Sequence, residues 1–164
     1  MCLLKRHRET ATVMLLVVCC EGAIAQPLNT ARQALTIGVM PLVHLQVSGN
    51  PGPLIINDVR AESAMVSDDK TSYSMATNVD HMKIVASLRE PMPNGTRLLI
   101  SMKSSKGISR GLVDISNALS PVDVVTGIRK GAERDQAITY TFAAGTTAGE
   151  VESGSRIVVL TLTE

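Results

Sequence analysis

Few residues in this 164-residue chain have the types and spacing that chemistry needs. Cys19 and Cys20 are adjacent, and thiol redox or zinc–thiolate sites use a C-x-x-C spacing that neighbours lack. A lipid attachment site wants a small residue before its cysteine. Here Val18 precedes Cys19 and Cys19 precedes Cys20, so anchoring at either is disfavoured. His44 and His81 each fall opposite the apolar row of their segment, which reads as solvated imidazole. A nucleophilic triad needs a nucleophile, a base and an orienting carboxylate in mutual reach. The chain offers no G-x-S-x-G elbow, no H-E-x-x-H pair and no Walker A loop to build on. Asp68 and Asp69 could offer oxygens to calcium, but Lys70 follows them and "SDDK" reads as an ordinary turn. Asp114 and Asp123 would serve glycoside hydrolysis only at a set separation, and solvated strand-end carboxylates are the default. The expectation is a non-enzyme with no cofactor and no metal.

The aromatic count narrows binding as well. There is no Trp, one Phe and two Tyr, and Tyr140 and Phe142 fall in a core-facing row. That argues against an aromatic platform for sugars and against base stacking on nucleic acid. Asn94-Gly95-Thr96 matches a glycosylation sequon but reads better as a hairpin turn.

The first 25 residues explain the cysteines. Lys5, Arg6, His7 and Arg8 make a basic start, "ATVMLLVVCC" is an apolar run, and "AIA" places small residues Ala23 and Ala25 before Gln26. This is the layout of a secretory signal peptide cleaved after Ala25. The apolar run is too short to span a bilayer of ~30 Å, so no membrane association is expected after cleavage. Cys19 and Cys20 act there as small hydrophobes. Removing three basic and two acidic residues from 16 and 15 leaves 13 of each. A neutral remainder has no basic stripe for nucleic acid. It also has no cysteine, so an exported domain of this size must rest on a hydrophobic core rather than on disulfides.

Residues 26–34 read as a linker and 35–164 as one β domain. "ALTIGV" places Leu35, Ile37 and Val39 on one face, and "PLVHLQV" places Val43, Leu45 and Val47 on one face. "LIINDV", "SYSMAT" and "HMKIVASL" are further strands, the last with Met82, Ile84, Ala86 and Leu88 inward. Asn94-Gly95 predicts a hairpin into "TRLLISM", whose inward row is Leu98, Ile100 and Met102. "LVDI", "VDVVTGI", "AITYTFAA" and "RIVVLTLT" complete eight or nine short strands. Residues 127–136 read as a charged surface connection and 145–155 as a long polar hairpin loop. The core is expected to be aliphatic with methionine filler. Many short strands with turn signals predict an all-β antiparallel sandwich of about 7–9 strands.

The strand-and-turn order resembles a group of secreted bacterial proteins of unknown function. Each has a signal peptide and one immunoglobulin-like β-sandwich akin to surface, pilin-like and coat-like subunits. The resemblance rests on Tyr73-Ser74, Lys83-Ile84, the P-x-G-T-x-L run at Pro93–Leu98, Val125–Ile128, Ile138–Thr141 and the Thr-rich last strand. It implies an immunoglobulin-like fold and a structural or interaction role after export to the periplasm, cell surface or extracellular space. Partners would be other surface proteins, or copies of the chain joined through strand edges. The alternative is a small exported binding module that holds a ligand at the loops 127–136 and 145–155.

Overall fold

The computed structural model describes residues 33–57, 63–149 and 154–164. Ala23, Ala25 and Gln26 at the expected cleavage site, and Cys19 and Cys20, lie outside the described residues. The chain divides into Met1–Gly38 and Val39–Glu164. In the first unit, residues 33–38 carry no strand pairing among the described residues, and Leu35 and Ile37 are exposed. "ALTIGV" is therefore not a strand of the sheets, despite its alternation.

The second unit is all-β. Among the described residues its strands are β1 (Val43–Ser48), β2 (Ser63–Thr77), β3 (Met82–Leu88), β4 (Thr96–Met102), β5 (Ile108–Ser109), β6 (Val113–Asp114), β7 (Val122–Ile128), β8 (Gly131–Gly145) and β9 (Val158–Thr163). They form a five-stranded sheet, β1-β2-β8-β4-β6, and a four-stranded sheet, β5-β7-β3-β9. Every pairing is antiparallel. Both sheets contribute to one core. Tyr73, Ile100, Met102 and Ile138 come from the first, and Met82, Ile84, Val125 and Leu162 from the second. Met75, Met82 and Met102 are buried to 2% exposure or less, the flexible filler that a core with so few rings requires.

From β2 onward, each connection carries the chain from one sheet to the other. The hairpins expected at Asn94-Gly95 and across 145–155 are thus not hairpins. Gly95 does turn, at φ 78°, and Thr96 N–H donates to Pro93 O at 3.1 Å. The turn sends β3 of one sheet into β4 of the other, because β3 is already paired on both sides by β7 and β9. Residues 54–57 of "LIINDV" are outside any strand.

"SDDK" is likewise not a turn. β2 runs through it, with an extra residue. Asp68 pairs with Tyr140 and Thr71 with Ile138, so three steps on β2 match two on β8. Such a bulge leaves one residue unpaired and reverses which face the following side chains take. Ala64, Val66 and Asp68 face inward before it, and Thr71, Tyr73, Met75 and Thr77 after it. The local hydrogen bond from Lys70 N–H to Asp68 Oδ1 (3.1 Å) is turn chemistry set inside a strand.

Candidate functional site

Among the described residues, two places combine unusual chemistry with a defined enclosure. The first is a groove of about 840 Å³ between the sheets, at the end of the molecule where β1 finishes and β9 begins. Its floor comes from the inner face of the five-stranded sheet, through Leu98, Tyr140 and Phe142. Val158 of β9 and the 49–57 segment, through Leu54 and Ile56, form its sides. The walls are apolar because the inward rows of β4 and β8 continue past the packed core into the opening.

Polar residues interrupt this apolar lining: Asn50, Arg156, and the hydroxyl-bearing Thr71, Thr96, Tyr140 and Ser155. Thr71 is 2% exposed, and its Oγ1 has no hydrogen-bond partner among the described residues. The bulge at Asp69–Lys70 is what turns this threonine inward. Burial raises the pKa of the Tyr140 phenol above its ordinary value. An apolar trough with a few hydroxyls is suited to an apolar partner that also brings hydrogen-bonding groups.

The second place surrounds Glu133, which is 5% exposed. Its Oε2 accepts the backbone N–H of Ser105 at 2.7 Å and of Lys106 at 3.2 Å, and the Ser105 hydroxyl at 3.0 Å. Its Oε1 accepts the Ser104 hydroxyl at 3.0 Å and the Tyr73 hydroxyl at 2.8 Å. The Tyr73 proton is shared with Lys103 O, 2.6 Å away. Burial, then the adjoining Glu133, push the Tyr73 phenol far above its usual range. The carboxylate thus closes the 103–107 connection, where the chain crosses from β4 to β5. Apart from the Tyr73 hydroxyl of β2, its hydrogen-bond donors all lie in that crossing, which is the arrangement of a structural clamp.

Glu133 falls inside the 127–136 segment read as a surface connection. That segment is mostly the end of β7 and the start of β8. Tyr73 pairs with Gln136 and Met75 with Glu133, so here β8 holds the extra residue. Asp135 takes the left-handed conformation at φ 51°, which aspartate tolerates, and the inward phase reverses across it. Glu133 therefore faces in, although alternation counted back from Ile138 puts it outside.

Of the other expected residues, His44 lies exposed on β1, and His81 sits exposed in the turn before β3 at φ 64°. Asp68 keeps Lys70 near its own carboxylate, with Nζ to Oδ2 at 4.0 Å, and Asp69 is exposed. Among the described residues, no three His, Cys, Asp or Glu side chains gather as metal ligands would. Asp114 and Asp123 belong to different sheets. Residues 127–136 do not line the groove; Ala148, Gly149, Gly154 and Ser155 of the other proposed loop do.

Asp114 instead pairs with Arg97, whose Nη2 and Nε lie 2.7 and 2.8 Å from Oδ2. Its partial burial opposes ionisation, but hydrogen bonds from Ser116 and the Arg97 guanidinium outweigh this and lower its pKa. A depressed carboxylate stabilises the fold above its unfolded pKa of ~3.9 and loses that contribution as pH falls through its folded pKa. With Asp114 40% exposed, solvent screening holds the effect below about 1 kcal/mol. Asp114→Asn is expected to flatten the acid limb of a melting-temperature profile below about pH 4. Identical limbs for both proteins would show that the pair contributes nothing.

No protein-family model, curated protein or solved structure matches the chain.

Proposed function

We propose that this chain is an exported, non-enzymatic β-sandwich protein of immunoglobulin-like type, with a structural or interaction role at the cell surface or in the extracellular space. The observation that carries this reading is a pair of open edges. Among the described residues β1 pairs only with β2, and β9 only with β3. The two edges approach each other along one side of the molecule. Val43, Val47, Ile157 and Val159 are exposed along them. An open edge with exposed apolar side chains favours strand addition by another chain. The basic, apolar and small-residue layout of residues 1–25 supports export through a cleaved leader. Among the described residues, no helix is long and apolar enough to cross a membrane.

Intact mass and light scattering on protein exported by its native host test both halves. The expected mass begins at Gln26, and the expected scattering shows association that grows with concentration. A lipid-shifted mass beginning at Cys19 or Cys20 would replace secretion with anchoring. A strict monomer at every concentration would remove the self-association reading.

The groove favours a second reading, a binding module for a small apolar ligand with a hydrogen-bonding group. Its mark would be a ligand-dependent rise in melting temperature, abolished by filling the floor with Ala144→Phe.

A further inference from the structure

We propose that the groove between the sheets binds an unbranched aliphatic carboxylate, its chain along the apolar floor and its head group at the mouth on the Arg156 guanidinium. This rests on the binding-module reading above and names the ligand class.

The walls suit a hydrocarbon chain. The floor is the inner face of the five-stranded sheet, through Leu98, Tyr140, Phe142 and Ala144. Residues 50–57 run alongside it and belong to neither sheet. In this strap Leu54 and Ile56 are half-buried while Pro53 and Ile55 are exposed, so one alternate row is turned toward the protein. Leu54 also packs against the core. Apolar side chains thus line both the floor and a side, and a linear apolar chain covers them together. At about 840 Å³ the groove is of the size that encloses small ligands. A sugar would bring many hydroxyls against walls that offer few partners.

The charge at the mouth selects the head group. Arg156 is half-buried in the lining, two residues before β9. Two main-chain carbonyls hold its guanidinium. Nη1 donates to Ser155 O at 3.0 Å, and Nε donates to Pro91 O at 3.4 Å. Neither oxygen carries a formal charge, and the ion pairs among the described residues do not include Arg156. The carbonyls orient the planar fork and leave the cation without a counter-charge among those residues. A carboxylate matches that fork in shape and sign. An alcohol or ester would accept a hydrogen bond there but leave the charge unmet.

The polarity of the groove also sets the direction of the ligand. A carboxylate placed inward, between Leu98 and Phe142, would lose its hydration with no cation beside it. With the head at Arg156 the charge stays at the rim, and only methylene groups enter.

Calorimetric titration of the exported protein with dodecanoate and with dodecanol, each below the concentration at which it self-associates, tests this. The two share a chain and differ in the head group. Dodecanoate is expected to bind about tenfold or more tightly, with an advantage that shrinks as salt is added. Arg156→Gln is expected to abolish the preference. Arg110→Gln removes the same charge beside β5, the edge opposite β9, and is expected to keep it. The comparison of head groups is made on the native protein, so it stands even where a variant fails to fold. Equal binding of the two, or a preference that survives Arg156→Gln, would overturn the carboxylate assignment and leave an apolar binding module standing. Binding of neither would overturn both.

Discussion

Glu133→Ala is expected to lower the stability of the fold by about 3 kcal/mol, a fall of roughly 10 °C in melting temperature for a domain of this size. The carboxylate is buried and holds the Ser105 and Lys106 amides together with the Ser104, Ser105 and Tyr73 hydroxyls. Removing it leaves those donors facing one another around a space that alanine does not fill. Hydroxyls can rotate to new partners, but the two amides are fixed by the backbone. Relief from burying a charge offsets part of the loss, as it does wherever a buried ion is removed.

Glu133→Gln separates hydrogen bonding from charge. Glutamine can set its carbonyl oxygen against the Ser105 and Lys106 amides and its NH2 against the Tyr73 and Ser104 oxygens. The Tyr73 proton then belongs to Lys103 O alone. The expected cost is about 1 kcal/mol, the change from charge-assisted to neutral bonds. Urea titration of both variants, with m unchanged, is the measurement. A silent Glu133→Ala would mean that the 103–107 crossing holds without its clamp.

The strands themselves were largely legible in the sequence, because alternation is the direct record of a two-sided sheet. Met82–Leu88, Leu98–Met102, Ile138–Ala144 and Val158–Leu162 place their inward rows as the pattern requires. Reading failed where the period slips. The bulges at Asp69–Lys70 on β2 and around Asp135 on β8 each exchange inside for outside. They made the middle of one strand look like a turn, and a buried glutamate look like a surface charge. Both candidate sites depend on those slips. Thr71 enters the groove through the first, and Glu133 enters its cage through the second. The topology was illegible for a different reason. Asn94-Gly95 encodes a reversal in direction, not the identity of the strand that receives it. The available side of β3 is taken by β7 and β9, strands far along the chain.

Gly95→Ala is expected to cost about 2–4 kcal/mol, well above the usual penalty for that change. Two effects add. The φ of 78° is a conformation that alanine occupies at a cost of about 1 kcal/mol. A Cβ there would also lie 2.6 Å from both N and Cα of Ala148 and 2.9 Å from the carbonyl carbon of Thr147. These are backbone atoms, so no side-chain rotation relieves the overlap. The Thr146–Ala148 turn must move, and it is tied to Gly95 by the bond from Gly145 N–H to Gly95 O at 3.0 Å. Gly111→Ala provides the control. Gly111 has φ 75° but nothing within 4 Å of an added Cβ, so it carries the conformational cost alone. Equal losses in the two variants would mean that the contact with Ala148 does not hold in solution. A larger loss at Gly95 would show that the crossing from β3 to β4 is braced against the end of β8. Pro93, Thr96 and Ala148 also line the groove. The same variant should therefore reshape the groove mouth and reduce any ligand-dependent rise in melting temperature.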